Sequence, residues 1–368
     1  MNMSSLTINS LCVHGADDKN NTTGAITVPI YQTATFVHPD VGQSTGYDYT
    51  RQQNPTREVL EKTVAALEGG HEAMAFASGM AAMATLCELF SQGDHIIASD
   101  DLYGGSVRLL DTVVVKHGIA VDYVDTSDTQ TIRRAVCAHT KAIFVETPSN
   151  PMMLITDIAA VSLICKEHGL LLIVDNTFLT PIFQRPIELG ADIVLHSGTK
   201  YLGGHNDTLA GFLVARDAHL SEKLQFLCKT IGACLAPWDS FLILRGIKTL
   251  AIRMERITEN AKKISAWLET QDAVQSVLYP GLSGMISFKV DTTETVHKIL
   301  GGVKTIAYAE SLGGVESLIT YPLLQTHADV PIARREALGI DDRLLRLSVG
   351  IESATDLIAD LEAALNGL

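Results

Sequence analysis

Between Pro55 and about Leu235 the chain alternates short apolar runs with longer stretches of helical periodicity. The runs Ile96–Ala98, Ala120–Val124, Ala142–Val145, Leu171–Val174 and Ile193–Leu195 are too short for helices and too uniformly apolar for half-exposed strands. They predict strands buried on both faces of a largely parallel sheet, with helices packed against it. The apolar segment Ala73–Phe76 and the alanine-rich helical run Ala81–Phe90 open this region. Before it, an arm to about Asn54 holds Pro29, Pro39 and the stretch Gly42–Gly46 and reads as extended and loop-rich. After it, Asp239 to Thr270 reads as one long amphipathic helix, with Leu242, Ile247, Leu250, Met254, Ile257, Ala261 and Ile264 on or near one face. Strand-like Val274–Tyr279 and Met285–Val290 follow, and Asp356–Leu365 predicts a last helix. The pattern is that of an α/β protein with an arm (1–54), a larger domain with a mostly parallel sheet (55–235) and a smaller α/β C-terminal domain (236–368). There are no internal repeats and no low-complexity stretch.

Chemistry enters at the strand ends. The strand Ile193–Leu195 runs into His196-Ser197-Gly198-Thr199-Lys200, which places one lysine among small hydroxyl residues. A lysine that forms a Schiff base needs a desolvating site, and donors such as Ser197 and Thr199 beside it suit a phosphate. A strand ending in a polar turn with a solvated lysine is the better fit to this segment taken alone. Upstream, Leu170–Val174 reads as a strand buried on both faces, and Asp175 follows directly. In an open parallel sheet that carboxyl end faces the ligand crevice. A carboxylate and a pyridinium about 4 Å apart attract by roughly 4 kcal/mol at an effective dielectric near 20, enough to keep a pyridine ring protonated. Asp175 taken alone fits a helix N-cap as well. Gly79 and Met80 stand at the start of a predicted helix, where backbone N–H groups form an anion site. Tyr103 offers a ring to stack on a cofactor, and Tyr49 and Arg51 precede the turn Asn54-Pro55-Thr56, which opens another helix.

These motifs, in this order, resemble the Cys/Met-metabolism family of pyridoxal-5'-phosphate (PLP) enzymes. The family includes cystathionine gamma-synthases, beta- and gamma-lyases, methionine gamma-lyases and O-acetylhomoserine sulfhydrylases. The resemblance runs from about Gly24 to Leu365. It is carried by Tyr49-Thr50-Arg51, Ser78-Gly79-Met80, Leu102-Tyr103-Gly104-Gly105, Glu146-Thr147-Pro148-Ser149-Asn150-Pro151, Val174-Asp175-Asn176-Thr177, His196–Tyr201, Ser311-Leu312-Gly313-Gly314 and Arg346–Gly350. It implies the PLP-dependent transferase fold of type I, like that of aspartate aminotransferase. Lys200 is then the lysine that carries the cofactor, Asp175 the partner of the pyridine nitrogen, and Tyr103 the stacking residue that also takes part in proton transfer. Gly79, Met80, Ser197 and Thr199 match the phosphate cradle. Tyr49 and Arg51 match residues that relatives donate to a neighbouring subunit's phosphate, which implies a dimer or tetramer with shared active sites. Asn150, Ser311 and Arg346 match the clamp on the substrate's α-carboxylate, a task suited to arginine's planar fork.

Composition agrees with an enzyme of small amino-acid substrates. At 368 residues and 46% hydrophobic the chain can bury a large core. A net charge of −14 argues against nucleic-acid binding. Cysteines at 12, 87, 137, 165, 228 and 234 form no Cys-x-x-Cys pair, as in a reduced cytoplasmic protein. No apolar run approaches membrane-spanning length, and the first residues have no basic and then apolar leader. His196 and His205 lack a third ligand at metal spacing, so no metal is expected.

Within the family the resemblance points to gamma-replacement on an O-acylated homoserine, with cysteine giving cystathionine or sulfide giving homocysteine. Gly105 stands where methionine gamma-lyases have cysteine. Glu310, of a type common at this position in gamma-synthases and gamma-lyases, could receive a distal ammonium; an ordinary loop-edge glutamate is the even alternative. Val315–Pro322 and Gln325–Asp329 look most like bacterial gamma-synthases that also act as O-acetylhomoserine sulfhydrylases. Tyr279-Pro280-Gly281 joins Gly284-Met285 almost directly, where most relatives have a longer segment. A cystathionine beta- or gamma-lyase is the alternative, and a non-catalytic PLP-binding protein a remote one.

Overall fold

The structure, a computed structural model, describes residues 6–16 and 21–367. Its larger sheet contains seven strands: β1 (Glu72–Phe76), β2 (His95–Ser99), β3 (Ala120–Val124), β4 (Thr140–Glu146), β5 (Leu171–Asp175), β6 (Ile193–Ser197) and β7 (Gly211–Ala215). They lie in the order β1-β7-β6-β5-β4-β2-β3. The five predicted runs form the parallel block β3-β2-β4-β5-β6. β7, which the sequence reading did not include, is antiparallel to both β6 and β1. The reason is the short return from β6: residues 198–210 contain no helix, and a parallel crossover needs one. Strand interiors such as Leu172–Val174 and Ile193–Leu195 are buried, as continuous apolar runs require.

The smaller sheet holds β8 (Val274–Leu278), β9 (Met285–Val290), β10 (Ala307–Tyr308), β11 (Leu318–Thr320) and β12 (Leu344–Ser348), in the order β10-β11-β12-β9-β8. It is antiparallel except for the β10–β11 pair. Its core joins Phe288, Ile319, Leu345 and Leu347 to Ala261 and Ile264 of the helix Leu250–Leu268 and to Leu357 and Leu361 of the helix Ala354–Asn366.

Two local expectations need correction. The arm contains a helix, Ile8–His14, which buries Leu11 and Cys12. The single helix read over Asp239–Thr270 is two, Pro237–Ile247 and Leu250–Leu268. At the break Gly246 packs so closely that a Cβ there would lie 2.1 Å from the Gly203 carbonyl. Arg253, which stands among the apolar positions of this helix face, is buried and donates to the carbonyls of Gly246 and Tyr201, both at 2.8 Å. The Gly246 carbonyl, which a continuous helix would bond to the amide four residues on, accepts here from that guanidinium and from the amide and hydroxyl of Thr249, both at 3.1 Å. The guanidinium also ties the bend to the residue after Lys200.

Candidate active site

The carboxyl ends of β4, β5 and β6 present Glu146, Asp175 and Ser197 to one cleft of about 410 Å³. Glu146 and Asp175 are register partners on neighbouring strands, so two carboxylates stand side by side in a buried setting. Burial pushes the pKa of Glu146 well up, and the adjacent Asp175 adds to the rise. Asp175 is also raised by burial, but the hydroxyl and amide of Thr177 pull the other way. Glu146 therefore takes a proton first and Asp175 keeps the negative charge. Both Thr177 donors reach Asp175 Oδ1, at 2.5 and 2.9 Å, and no hydrogen bond from a described residue engages Oδ2. An anion with one uncommitted oxygen at the end of a buried strand fits the nitrogen of a protonated pyridine ring.

The phosphate end of such a cofactor is also provided for. Ser78 caps the helix Gly79–Cys87 by accepting from the Ala81 amide at 3.0 Å. The first amides of that helix, at Gly79 and Met80, have no acceptor inside it. A Cβ on Gly79 would come within 3.1–3.2 Å of Ser197, so glycine lets the helix start approach that hydroxyl. The Thr199 hydroxyl is engaged differently: it donates to the Ala210 carbonyl at 3.2 Å and accepts its amide at 3.0 Å. Thr199 thus pins the lysine loop to the segment entering β7 while still lining the cleft.

Lys200 follows that loop. Its Nζ donates to Ser311 Oγ at 2.8 Å, and burial, assisted by the Arg346 charge, lowers its pKa to about 8 against the pull of Glu310. Ser311 sits at φ 108°, a conformation that costs a non-glycine residue about 1–3 kcal/mol. That backbone lets one residue serve two partners, because its carbonyl accepts from Arg346 Nη2 at 3.2 Å. Arg346, in β12, is 1% exposed and donates Nη1 to Asn150 Oδ1 at 2.8 Å, while its Nε has no partner among the described residues. A buried guanidinium with a spare donor beside the lysine is a carboxylate receptor by chemistry. Tyr103 closes the opposite side, and a Cβ on Gly105 would lie 2.4 Å from its ring. Glu310 lines the mouth.

Tyr49 and Arg51 lie outside this cleft. Arg51 donates to the Lys229 carbonyl at 2.6 Å, and its guanidinium lies 5.6 Å from the centre of the half-exposed Tyr49 ring. Cleft residues without a predicted role include Glu146, Phe178, Leu209 and Thr326. Glu146 obeys the rule that identified Asp175, an acidic residue ending a buried apolar run. The other three come from loops whose course the sequence does not announce. The short junction after Tyr279 folds inward: Ser283 Oγ donates to the Phe178 carbonyl at 2.6 Å, so this turn supports the cleft wall.

Fold and site together define a PLP-dependent enzyme of the type I transferase fold, with a mostly parallel central sheet and a smaller second sheet. The chain belongs to the Cys/Met metabolism PLP-dependent enzyme family, whose profile matches residues 9–366. It is 52% identical to a cystathionine gamma-synthase/O-acetylhomoserine (thiol)-lyase of Bacillus subtilis, over 93% of this chain and 92% of that one. It is 48% identical to a cystathionine gamma-lyase of the same organism, over 98% and 99%. Among solved structures, a cystathionine gamma-lyase from Lactobacillus plantarum complexed with L-serine superposes with a TM-score of 0.95, at 43% identity, covering 98% of this chain and 99% of that one. Among the described residues no helix is long and apolar enough to cross a membrane, and no group of three or more acidic, histidine or cysteine side chains could hold a metal.

Proposed function

We propose that the protein replaces the γ-acyloxy group of an O-acylated homoserine with cysteine or sulfide, in methionine biosynthesis. The observation that carries this choice is a second anion in the cleft. Beside Lys200 and the Arg346–Asn150 pair, which would hold the substrate's carboxylate, the exposed Glu310 lines the same cleft next to Ser311. An incoming cysteine brings an ammonium that Glu310 can receive, with its thiol directed inward. The 52% identity to a gamma-synthase/thiol-lyase supports the same reading.

PLP, when bound, withdraws electrons from the substrate's amino-bearing carbon. The chain supplies the rest. Asp175 keeps its charge against the ring nitrogen because Glu146 takes the shared proton. Lys200, with a pKa near 8, has a usable neutral fraction at physiological pH and moves protons first at the α carbon and then at the β carbon. Proton removal at the β carbon makes the γ substituent a leaving group. Tyr103 covers the ring and assists proton transfer. The Gly79 and Met80 amides and the Ser197 hydroxyl hold the phosphate. Tyr49 and Arg51 complete the phosphate site of a second copy, so the active unit is at least a dimer.

A cystathionine lyase is the second reading, favoured by the 48% identity to gamma- and beta-lyases. Glu310 would then receive the distal ammonium of cystathionine. Incubating the purified protein separately with O-acetylhomoserine plus cysteine and with cystathionine, and identifying the products, decides between them. Cystathionine formation is the expected result; rapid cleavage to pyruvate or 2-oxobutyrate without synthesis overturns the proposal.

A further inference from the structure

After β11 the chain leaves the smaller sheet and crosses onto the larger unit before returning through β12. Val330 packs in the core beside Leu102 and Leu110. Arg334 donates twice to the Asp100 carbonyl, at 2.9 and 3.2 Å, and lies 3.5 Å over the Tyr123 ring. Asp329 pairs with Arg108. The Thr326 carbonyl approaches so closely that a Cβ on Gly104 would lie 2.2 Å from it. These contacts anchor the crossing. One residue in it has a different set of partners.

His327 is 1% exposed. Its Nε2 lies 3.0 Å from the Asn150 carbonyl and 3.3 Å from the Leu102 carbonyl. Carbonyls only accept, so Nε2 carries a hydrogen and shares it between the two. Nδ1 then accepts from Thr326 Oγ1 at 2.9 Å. Burial, reinforced by the Arg346 charge, lowers the His327 pKa to about 4, which agrees with a neutral ring. Asn150 is thereby held through both its oxygens from the C-terminal part of the chain, the side-chain oxygen by Arg346 and the backbone oxygen by His327. On the other flank, Asp101 accepts from Ser149 Oγ and from the Met152 amide at 2.9 Å. Asp101 and Leu102 immediately precede Tyr103, so both ties join the Tyr103 loop to the Asn150 loop.

We propose that His327 is a positioning residue for the substrate-carboxylate clamp: it fixes the Asn150 peptide against the Tyr103 loop so that Asn150 and Arg346 meet a carboxylate already aligned. This rests on the reading of Asn150 and Arg346 as that clamp. The anchoring of the crossing belongs to Val330, Asp329 and Arg334; His327 is the residue within it that touches Asn150. Removing its N–H leaves two buried carbonyls short of a donor and frees the Asn150 backbone while the Arg346 contact remains.

The test compares two probes on the PLP-loaded enzyme, glycine and methylamine, by titrating the change each makes in the cofactor's visible absorption. Only glycine carries a carboxylate, so the ratio of the two dissociation constants reads the clamp and not the cofactor. His327→Leu is expected to weaken glycine by about tenfold and to leave methylamine within about twofold. His327→Gln, whose amide can donate to the same carbonyls, is expected to restore glycine to within about threefold of the parent. Ser149→Ala, which cuts the tie on the other flank, is expected to weaken glycine by about threefold and provides the test if the leucine variant does not fold. Equal losses for both probes, or an unchanged ratio in His327→Leu, overturn the proposal; so does an unchanged ratio in Ser149→Ala where that variant stands in. Arg346→Leu separates the two levels: if it leaves the ratio unchanged, the clamp reading itself is wrong.

Discussion

Asp175, Ser197 and Gly79 stand at the ends of regular elements of the larger sheet, whereas Ser311, Glu310 and Thr326 stand on loops attached to the smaller one. The first wall is set by strand pairing: Asp175 is in register with Glu146 and with Leu195, and its carboxylate is held by the residue two positions on. The second wall is set by long-range bonds, Ser311 to Lys200 and Arg346 to Asn150, and by a residue at φ 108°. A wall made by the sheet repeats the same chemistry wherever the sheet forms. A wall made by loops can change its substrate without disturbing the sheet. The cofactor residues should therefore give large, substrate-independent losses, and the loop residues small and substrate-selective ones.

The largest expected effect is on the first wall. Asp175→Asn removes the charge against the ring nitrogen, worth roughly 4 kcal/mol at about 4 Å, so kcat should fall about a thousandfold with every substrate. Glu146→Gln imitates a group already carrying its proton and should change kcat by less than about threefold. Steady-state rates for both variants, with two unlike substrates, check the pair. The reverse order, a large loss in Glu146→Gln and a small one in Asp175→Asn, would mean that the proton sits on Asp175.

An intermediate effect concerns pH. Lys200 is depressed to about 8 in the chain without cofactor, so its amine is protonated below that pH and neutral above it. Only the neutral amine attacks an aldehyde. The rate at which cofactor-free protein takes up PLP should rise about tenfold per pH unit below 8 and level off above it. An exposed lysine would keep rising past about 10. Stopped-flow absorbance across that range distinguishes the two courses.

Much of the first wall could be read from sequence, because an apolar run ending in Asp175 or in Ser197–Lys200 states both the strand and what it carries. Glu146 met the same criterion, yet nothing in its own segment tells that it would lie beside Asp175; strand order does that. The second wall was identified through resemblance alone. Ser311, Asn150 and Arg346 are far apart in the chain, and no periodicity joins them. The helix over 239–270 failed for a related reason: Gly246 and Arg253 serve the backbone of Gly203 and Tyr201, contacts that a local hydrophobic pattern does not encode. Tyr49 and Arg51 lie outside their own chain's cleft, where a sequence motif alone does not place them.

The smallest expected effect is also the most selective. Glu310 is exposed at the mouth of the cleft, so solvent screens its attraction for an ammonium. Glu310→Gln should raise KM for cysteine by only about two- to fivefold in cystathionine synthesis. Sulfide has no ammonium. Replacement by sulfide should therefore proceed with an unchanged KM for sulfide in the same variant, at the same concentration of O-acylated homoserine. That contrast separates the nucleophile's site from the donor's, whose carboxylate the proposed clamp assigns to Arg346 and Asn150. Raising the salt concentration should weaken cysteine in the parent enzyme and leave the glutamine variant nearly insensitive. If both nucleophiles lose equally, Glu310 acts on the common path through Lys200, whose pKa its charge supports, and the loop wall does not select the nucleophile.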